Sequence, residues 1–132
     1  MATLTPTLTL TSDIFSSNSI SLSTTGSFTV AAPSQDISTE IVTTTGGNHI
    51  IKPAATATAY LYVRHTSTTN GTTGNTTDSV DIELSDDNSA FCRLGPGDFC
   101  FIPFSHAGVS NGVQLQTTAN NVLCEYMWFT KA

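Results

Sequence analysis

Basic side chains are nearly absent from this 132-residue chain: Lys52, Arg64, Arg93 and Lys131 stand against 10 acids, for a formal net charge of −6. So few and so scattered, they cannot neutralise a run of phosphates, and direct nucleic-acid binding is excluded as an expectation. The same deficit leaves an anionic membrane surface nothing to attract, and no apolar run approaches the roughly 20 residues of a spanning helix. Residues 1–10 lack the basic n-region and continuous apolar stretch of a secretory signal, so the chain reads as a soluble protein made in a cytoplasm. Helical periodicity is missing too. No window of about ten residues keeps an apolar stripe at i, i+3, i+4 and i+7 without Gly, Pro or clustered β-branched residues breaking it.

Cysteine is scarce and odd in number. Cys92, Cys100 and Cys124 lie in apolar surroundings and read as free, buried thiols acting as small hydrophobes. Cys92 and Cys100 are equidistant from Pro96, so a symmetric hairpin would set them opposite each other; strain in adjacent-strand pairs and a reducing compartment favour the thiol form.

What is abundant is Thr and Ser, at home on a pleated surface and neutral at best in a helix. With 39% hydrophobic residues and this length, the chain makes one all-β domain with a core that needs no staples. The strongest local signal is residues 91–104. Pro96 pre-sets φ for the second position of a type II turn and Gly97 supplies the positive φ of the third, so Gly95-Pro96-Gly97 must reverse the chain. The apolar runs on either side (Phe91, Cys92, Leu94 and Phe99, Cys100, Phe101, Ile102) are expected to fold back on each other as a central hairpin. Residues 122–129, which hold the only Trp, are expected to pack close by.

From the N-terminus, Leu4, Leu8 and Leu10 alternate with Thr around Pro6, which predicts an edge strand or an extended arm. Ile20, Leu22, Phe28 and Val30 continue the alternation, Ala31-Ala32-Pro33-Ser34 reads as a connector, and 37–43 as a strand. Gly46-Gly47-Asn48 is a turn into strand 49–52. Residues 57–66 give the clearest strand of the first half, 67–77 an exposed and mobile polar loop, and 80–84 an alternation with apolar side chains in and acids out. Residues 106–112 read as a loop and 113–116 as a further strand. The total is about eight to ten strands, as expected of a sandwich, jelly roll or small barrel. The chain divides into residues 1–35, an N-terminal arm with edge strands, and 36–132, a β-sandwich core. A segment as poor in apolar bulk as 1–35 is often stable only when it pairs with something else.

Chemistry is thin. Gly97-Asp98, Pro103 and His106 resemble the second motif of cupins, metal-binding jelly-roll proteins, with the motif's last Gly missing and its His too early. No upstream His-x-His followed by Glu completes a metal shell, and His49 and His65 stand apart, so no metal or other cofactor is expected. His106 reads as a loop or interface residue. No Gly-x-Ser-x-Gly elbow supports Ser/His/Asp catalysis. Asp78, Asp81, Glu83, Asp86 and Asp87 lack an EF-hand spacing and read as a solvated face. Asn70-Gly71-Thr72 and Asn75-Thr76-Thr77 match the glycosylation pattern, which is idle without secretion. Tyr60, Tyr62 and Trp128 offer a conceivable sugar platform, although strand aromatics are more often core or subunit contacts. The expectation is a protein without catalytic residues.

Leu94-Gly95-Pro96-Gly97-Asp98-Phe99, Phe101-Ile102-Pro103, Val113-Gln114-Leu115-Gln116-Thr117 and Cys124-Glu125-Tyr126-Met127-Trp128-Phe129-Thr130-Lys131 resemble small virion structural proteins of tailed bacteriophages. The resemblance covers about the last third of the chain. It implies an all-β, single-domain, jelly-roll-like β-sandwich with an extended N-terminal arm, serving as a capsid decoration (cement) protein or a head-fibre or tail component. It further implies a homotrimer, made in the host bacterial cytoplasm and mounted on the capsid exterior, with the major capsid protein and other copies of itself as partners. Leu4, Leu8 and Leu10 are the expected arm anchors against capsid or subunit. A carbohydrate-binding module at a tail or fibre is the alternative.

Overall fold

Alternation of Thr or Ser with Leu, Ile, Val and aromatic residues imposes a period of two, and a period of two puts every second side chain on one face of a strand. The computed structural model describes residues 2–12, 20–44, 49–52, 58–72, 74, 76–85, 89–105 and 112–132. Among them are 11 strands: β1 (Ala2–Leu4), β2 (Thr7–Ser12), β3 (Ile20–Thr25), β4 (Phe28–Val42), β5 (His49–Lys52), β6 (Thr58–His65), β7 (Val80–Leu84), β8 (Ala90–Leu94), β9 (Phe99–Ser105), β10 (Val113–Thr117) and β11 (Val122–Lys131). None of the described residues is helical.

The strands form a five-stranded sheet, β1-β4-β11-β6-β9, a four-stranded sheet, β5-β10-β7-β8, and a separate two-stranded sheet, β2-β3. The pairings nest: β7 with β8, β6 with β9, β5 with β10 and β4 with β11, all antiparallel. The chain therefore behaves as a two-stranded ribbon doubled back between β7 and β8 and rolled up, so that successive strands pass from one sheet to the other. The larger sheets close as a β-sandwich on a shared core of Val42, Ile51, Leu61, Val63, Val80, Ile82, Leu94, Phe104, Val113, Leu115, Val122, Cys124 and Trp128. At about 25 cal/mol per Å2 of apolar surface removed from water, that cluster is the main favourable term in folding.

Residues 91–104 are not a hairpin. Gly95-Pro96-Gly97 does reverse the chain: Asp98 N–H donates to Gly95 O at 3.0 Å and Gly97 has φ +85°, the geometry of a type II turn. Yet β8 leaves it for the four-stranded sheet, pairing with β7, and β9 for the five-stranded sheet, pairing with β6. The turn is an arch across the core, because β8 and β9 each pair with a strand of a different sheet. Trp128 does pack in the core cluster with Leu94 and Phe104.

Residues 31–34 are not a connector either, since β4 runs through them. Its register against β11 slips twice, pairing Trp128 with Gln35, Phe129 with Ser34 and Thr130 with Ala31. Pro33 falls in the second slip, where no ladder partner needs the N–H that proline lacks. On β7 the acids are not turned out into solvent: Asp81 is 9% and Glu83 5% exposed. Both are satisfied by neighbours, Asp81 by a bidentate Arg93 (Nε to Oδ1 2.6 Å, Nη2 to Oδ2 2.8 Å) and Glu83 by Gln114 Nε2 at 3.1 Å. The polar loop after β6 is less exposed than its composition implies. Thr76 is buried, and Leu123 N–H donates to Thr68 O at 2.9 Å, lacing the loop to β11.

Candidate functional site

The outer face of the five-stranded sheet is built from the positions that alternate away from the core. Register aligns Phe129 with Tyr60 and Pro103, Met127 with Tyr62 and Phe101, and Glu125 with Arg64 and Phe99, giving three cross-strand rows over β11, β6 and β9. The first two rows are apolar or aromatic, where a solvated antiparallel sheet would show polar side chains. Phe28, at the start of β4, folds onto them: its ring stacks on Tyr60 at 4.6 Å and lies 6.2 Å from Phe101. A side chain at Gly26 would meet the Phe28 ring at 2.7 Å, so only glycine lets the chain pass beneath it. Lys131 Nζ sits 5.7 Å from the Tyr60 ring centre, and Tyr60 ends 4% exposed. At the other end Tyr62 and Phe99 meet at 6.4 Å, with Phe99 58% exposed. Burial lifts the Tyr62 phenol above its ordinary value.

Above this face stands the β2-β3 hairpin, whose sides differ completely. Register puts Leu8 opposite Thr24 and Leu10 opposite Leu22 on one side, and Thr7, Thr9 and Thr11 opposite Thr25, Ser23 and Ser21 on the other. The hydroxyl side bonds across its strands, Thr7 Oγ1 to Thr25 Oγ1 at 3.0 Å. The apolar side is largely uncovered, with Leu8, Leu10 and Leu22 all between 42% and 49% exposed. At the hairpin's foot Pro6, Thr7 and Leu8 face Phe99 and Phe101 across a groove of about 360 Å3. Hairpin and aromatic rows thus form one continuous apolar surface, bent at the groove. Its exposed large side chains are Leu8, Leu10, Leu22 and Phe99, and clustered exposed apolar side chains are a feature of interaction surfaces.

Leu8 and Leu10 lie on this surface. Leu4 adjoins it: half-buried in β1, it is paired with Phe28, whose ring packs on Tyr60 and Phe101. Leu22 and Phe101 belong to the surface and were missed by sequence reasoning; the alternation of Ile20 and Leu22 with Ser21 and Ser23, in register with 7–12, is the signal that finds Leu22. The three aromatics of the sugar platform are not brought together, since Trp128 faces the core at 6% exposure and Tyr60 lies under Phe28. His106, Asp86, Asp87 and the turn at 46–48 lie outside the described residues.

Among the described residues, no three His, Cys, Asp or Glu side chains gather as a metal site would require. The nearest approach to a reactive constellation is Cys124, Glu40 and His49. His49 Nδ1 donates to Glu40 Oε1 at 2.7 Å and its Nε2 accepts from Thr43 N–H at 3.1 Å. Burial, reinforced by Glu40, pushes the Cys124 thiol up to about 12, the wrong direction for a nucleophile. Asp78 has the opposite fate. Hydrogen bonds from the Asn120 side chain at 2.8 Å, and after it from Thr76, hold its carboxyl below the ordinary value.

A depressed folded pKa contributes stability that is complete above the ordinary carboxylate range and is lost as pH falls through the folded value. Acidification below about pH 4 is therefore expected to release residue 120 from residue 78, read as movement of the Asn120 amide signals in an NMR titration. In Asn120→Ala the Asp78 carboxyl should titrate closer to its ordinary value. Unchanged titration there would mean that Asn120 is not the cause.

Comparison of the chain with family models, with curated proteins and with solved structures gives no match.

Proposed function

We propose that this protein is a non-enzymatic bacteriophage virion component, a capsid decoration (cement) protein of jelly-roll type mounted on the capsid exterior. It binds the major capsid protein lattice through the bent apolar surface of β2-β3 and the aromatic rows. The observation that carries the reading is the hairpin's uncovered leucine side. A two-stranded sheet is marginal alone, and its stability comes from whatever covers that side. The hairpin strands Thr7–Ser12 and Ile20–Thr25 contain no charged residue, so a chain of net charge −6 can press them against further copies without like-charge repulsion. Each contact need bury only ~800 Å2 per partner if several act together, and a homotrimer multiplies weak contacts into avidity. Nothing in this role requires a cofactor, a membrane or nucleic acid, and synthesis in the host cytoplasm suits it.

The test is co-sedimentation with shells assembled from the major capsid protein. Wild-type chain should bind saturably, and sedimentation velocity should give a species near three times 13.9 kDa. Leu8→Asp/Leu10→Asp places two carboxylates in the apolar contact, at a cost of about 3 kcal/mol, so binding should weaken roughly 100-fold while the fold is kept. Unaltered binding by the double variant would remove the hairpin from the interface. Failure of the wild-type chain to bind shells, with selective capture on a glycan array, would favour the carbohydrate-binding alternative.

A further inference from the structure

Two of the three thiols occupy a position that the arch alone creates. β8 is the edge strand of the four-stranded sheet and β9 the edge strand of the five-stranded sheet, so the 95–98 turn is the covalent link between the sheets along that open side of the sandwich. Cys92 and Cys100 lie at equal distance from Pro96 on these strands, both packed against the core cluster, and the Cys92 side chain is near enough to Cys100 to act on its thiol. In a hairpin, a bond between them would join neighbours on one sheet with the strain typical of adjacent-strand pairs; here it would span two sheets. The arch is firmly held. Gly95 N–H donates to Asp98 Oδ2 at 2.8 Å, His65 N–H to Asp98 O at 2.9 Å and Gly97 N–H to His65 O at 3.2 Å.

We propose that Cys92 and Cys100 form an oxidation site, closing on exposure to a small disulfide oxidant into one bond that ties the two edge strands together. The step balances as thiol–disulfide exchange. The Cys92 sulfur attacks one sulfur of the oxidant, losing its proton and releasing one small thiol, which leaves a mixed disulfide. The Cys100 sulfur then attacks the Cys92 sulfur, loses its own proton and expels the second small thiol. The oxidant gains two electrons and the two protein thiols lose them. Cys92 is the expected point of attack because it borders a surface depression shared with Asp81, Ala90, Phe91 and Arg93. Burial pushes the Cys100 thiol up to about 12, which keeps it protonated and inert toward the oxidant in solution, so its attack on the mixed disulfide is driven by proximity alone. Cys124 is fully buried on β11, separated from β9 by β6, and takes no part.

The experiment treats the folded full-length chain with oxidised glutathione and follows intact mass, disulfide mapping and thermal midpoint. The expected product is lighter by about 2 Da, carries a mapped Cys92–Cys100 bond and keeps one thiol that reacts only after denaturation. Its midpoint should rise by roughly 5 °C, since closing a short loop restricts the unfolded chain. Cys92→Ala should show no such mass loss. A chain that retains all three thiols, a glutathione adduct that persists on Cys92, or a bond involving Cys124 would each overturn the proposal. A correctly mapped bond without a rise in midpoint would overturn its tying role.

Discussion

His65→Leu is expected to destabilise the protein by about 3 kcal/mol, lowering the thermal midpoint by roughly 10 °C in a chain of this size. The side chain is fully buried, with both ring nitrogens engaged. Nδ1 accepts the Ser67 N–H at 3.0 Å, which leaves the proton on Nε2, and Nε2 donates to Asp78 O at 2.8 Å. Leucine fills the space and leaves the part-buried Ser67 amide and Asp78 carbonyl without their partner, at a combined cost of about 3 kcal/mol. Ser67 adds to the effect. It holds φ +66° without being glycine, a conformation that costs of order 1 kcal/mol and is fixed here by the histidine. The backbone of His65 meanwhile meets Asp98 and Gly97, so one residue joins β6, the arch and the 66–79 loop. His65→Asn keeps an acceptor near the Nδ1 position and should fall between wild type and leucine. Thermal unfolding of the three proteins checks the order, and a leucine variant as stable as wild type would show that this junction is not held by the imidazole.

Excision of residues 7–25, joining Pro6 to Gly26, is expected to abolish assembly while leaving the sandwich folded. Gly26 N–H donates to Pro6 O at 3.0 Å, so the ends of the cut already lie side by side. β1 keeps its pairing with residues 28–30, and Phe28 stays on Tyr60. The sandwich core contains no residue from 7–25. A thermal midpoint within a few degrees of wild type, together with loss of shell binding, is the expected pair of results. Unfolding of the shortened chain would mean that the hairpin supports the sandwich rather than projecting from it.

Most strands were legible because period-two alternation is a local property. β5, β6, β7 and β10 fall close to where Ile50-Ile51, Leu61/Val63, Val80/Ile82/Leu84 and Val113/Leu115 placed them. Sheet membership was not legible. Gly95-Pro96-Gly97 specifies that the chain reverses and says nothing about whether the flanking strands bond to each other or to different sheets, since apolar flanks suit both outcomes. The actual ribbon fold lies one connection earlier, between β7 and β8, in a polar stretch with a weaker turn signature. Burial of Asp81 and Glu83 was equally hidden, because it depends on Arg93 and Gln114 arriving from neighbouring strands. Within the apolar surface, Leu8 and Leu10 could be read from alternation with Thr. The contribution of β9 depends on its packing beside residues 6–8, which no local pattern encodes.

Hydrogen exchange on the dispersed and the capsid-bound chain tests the docking surface most directly. The amides of β2 and β3 should exchange quickly in the free protein, where this two-stranded sheet lacks cover, and slow by at least about tenfold on binding, while those of β6 and β11 stay protected in both states. Unchanged exchange throughout β2 and β3, with new protection confined to the four-stranded sheet, would contradict the assignment.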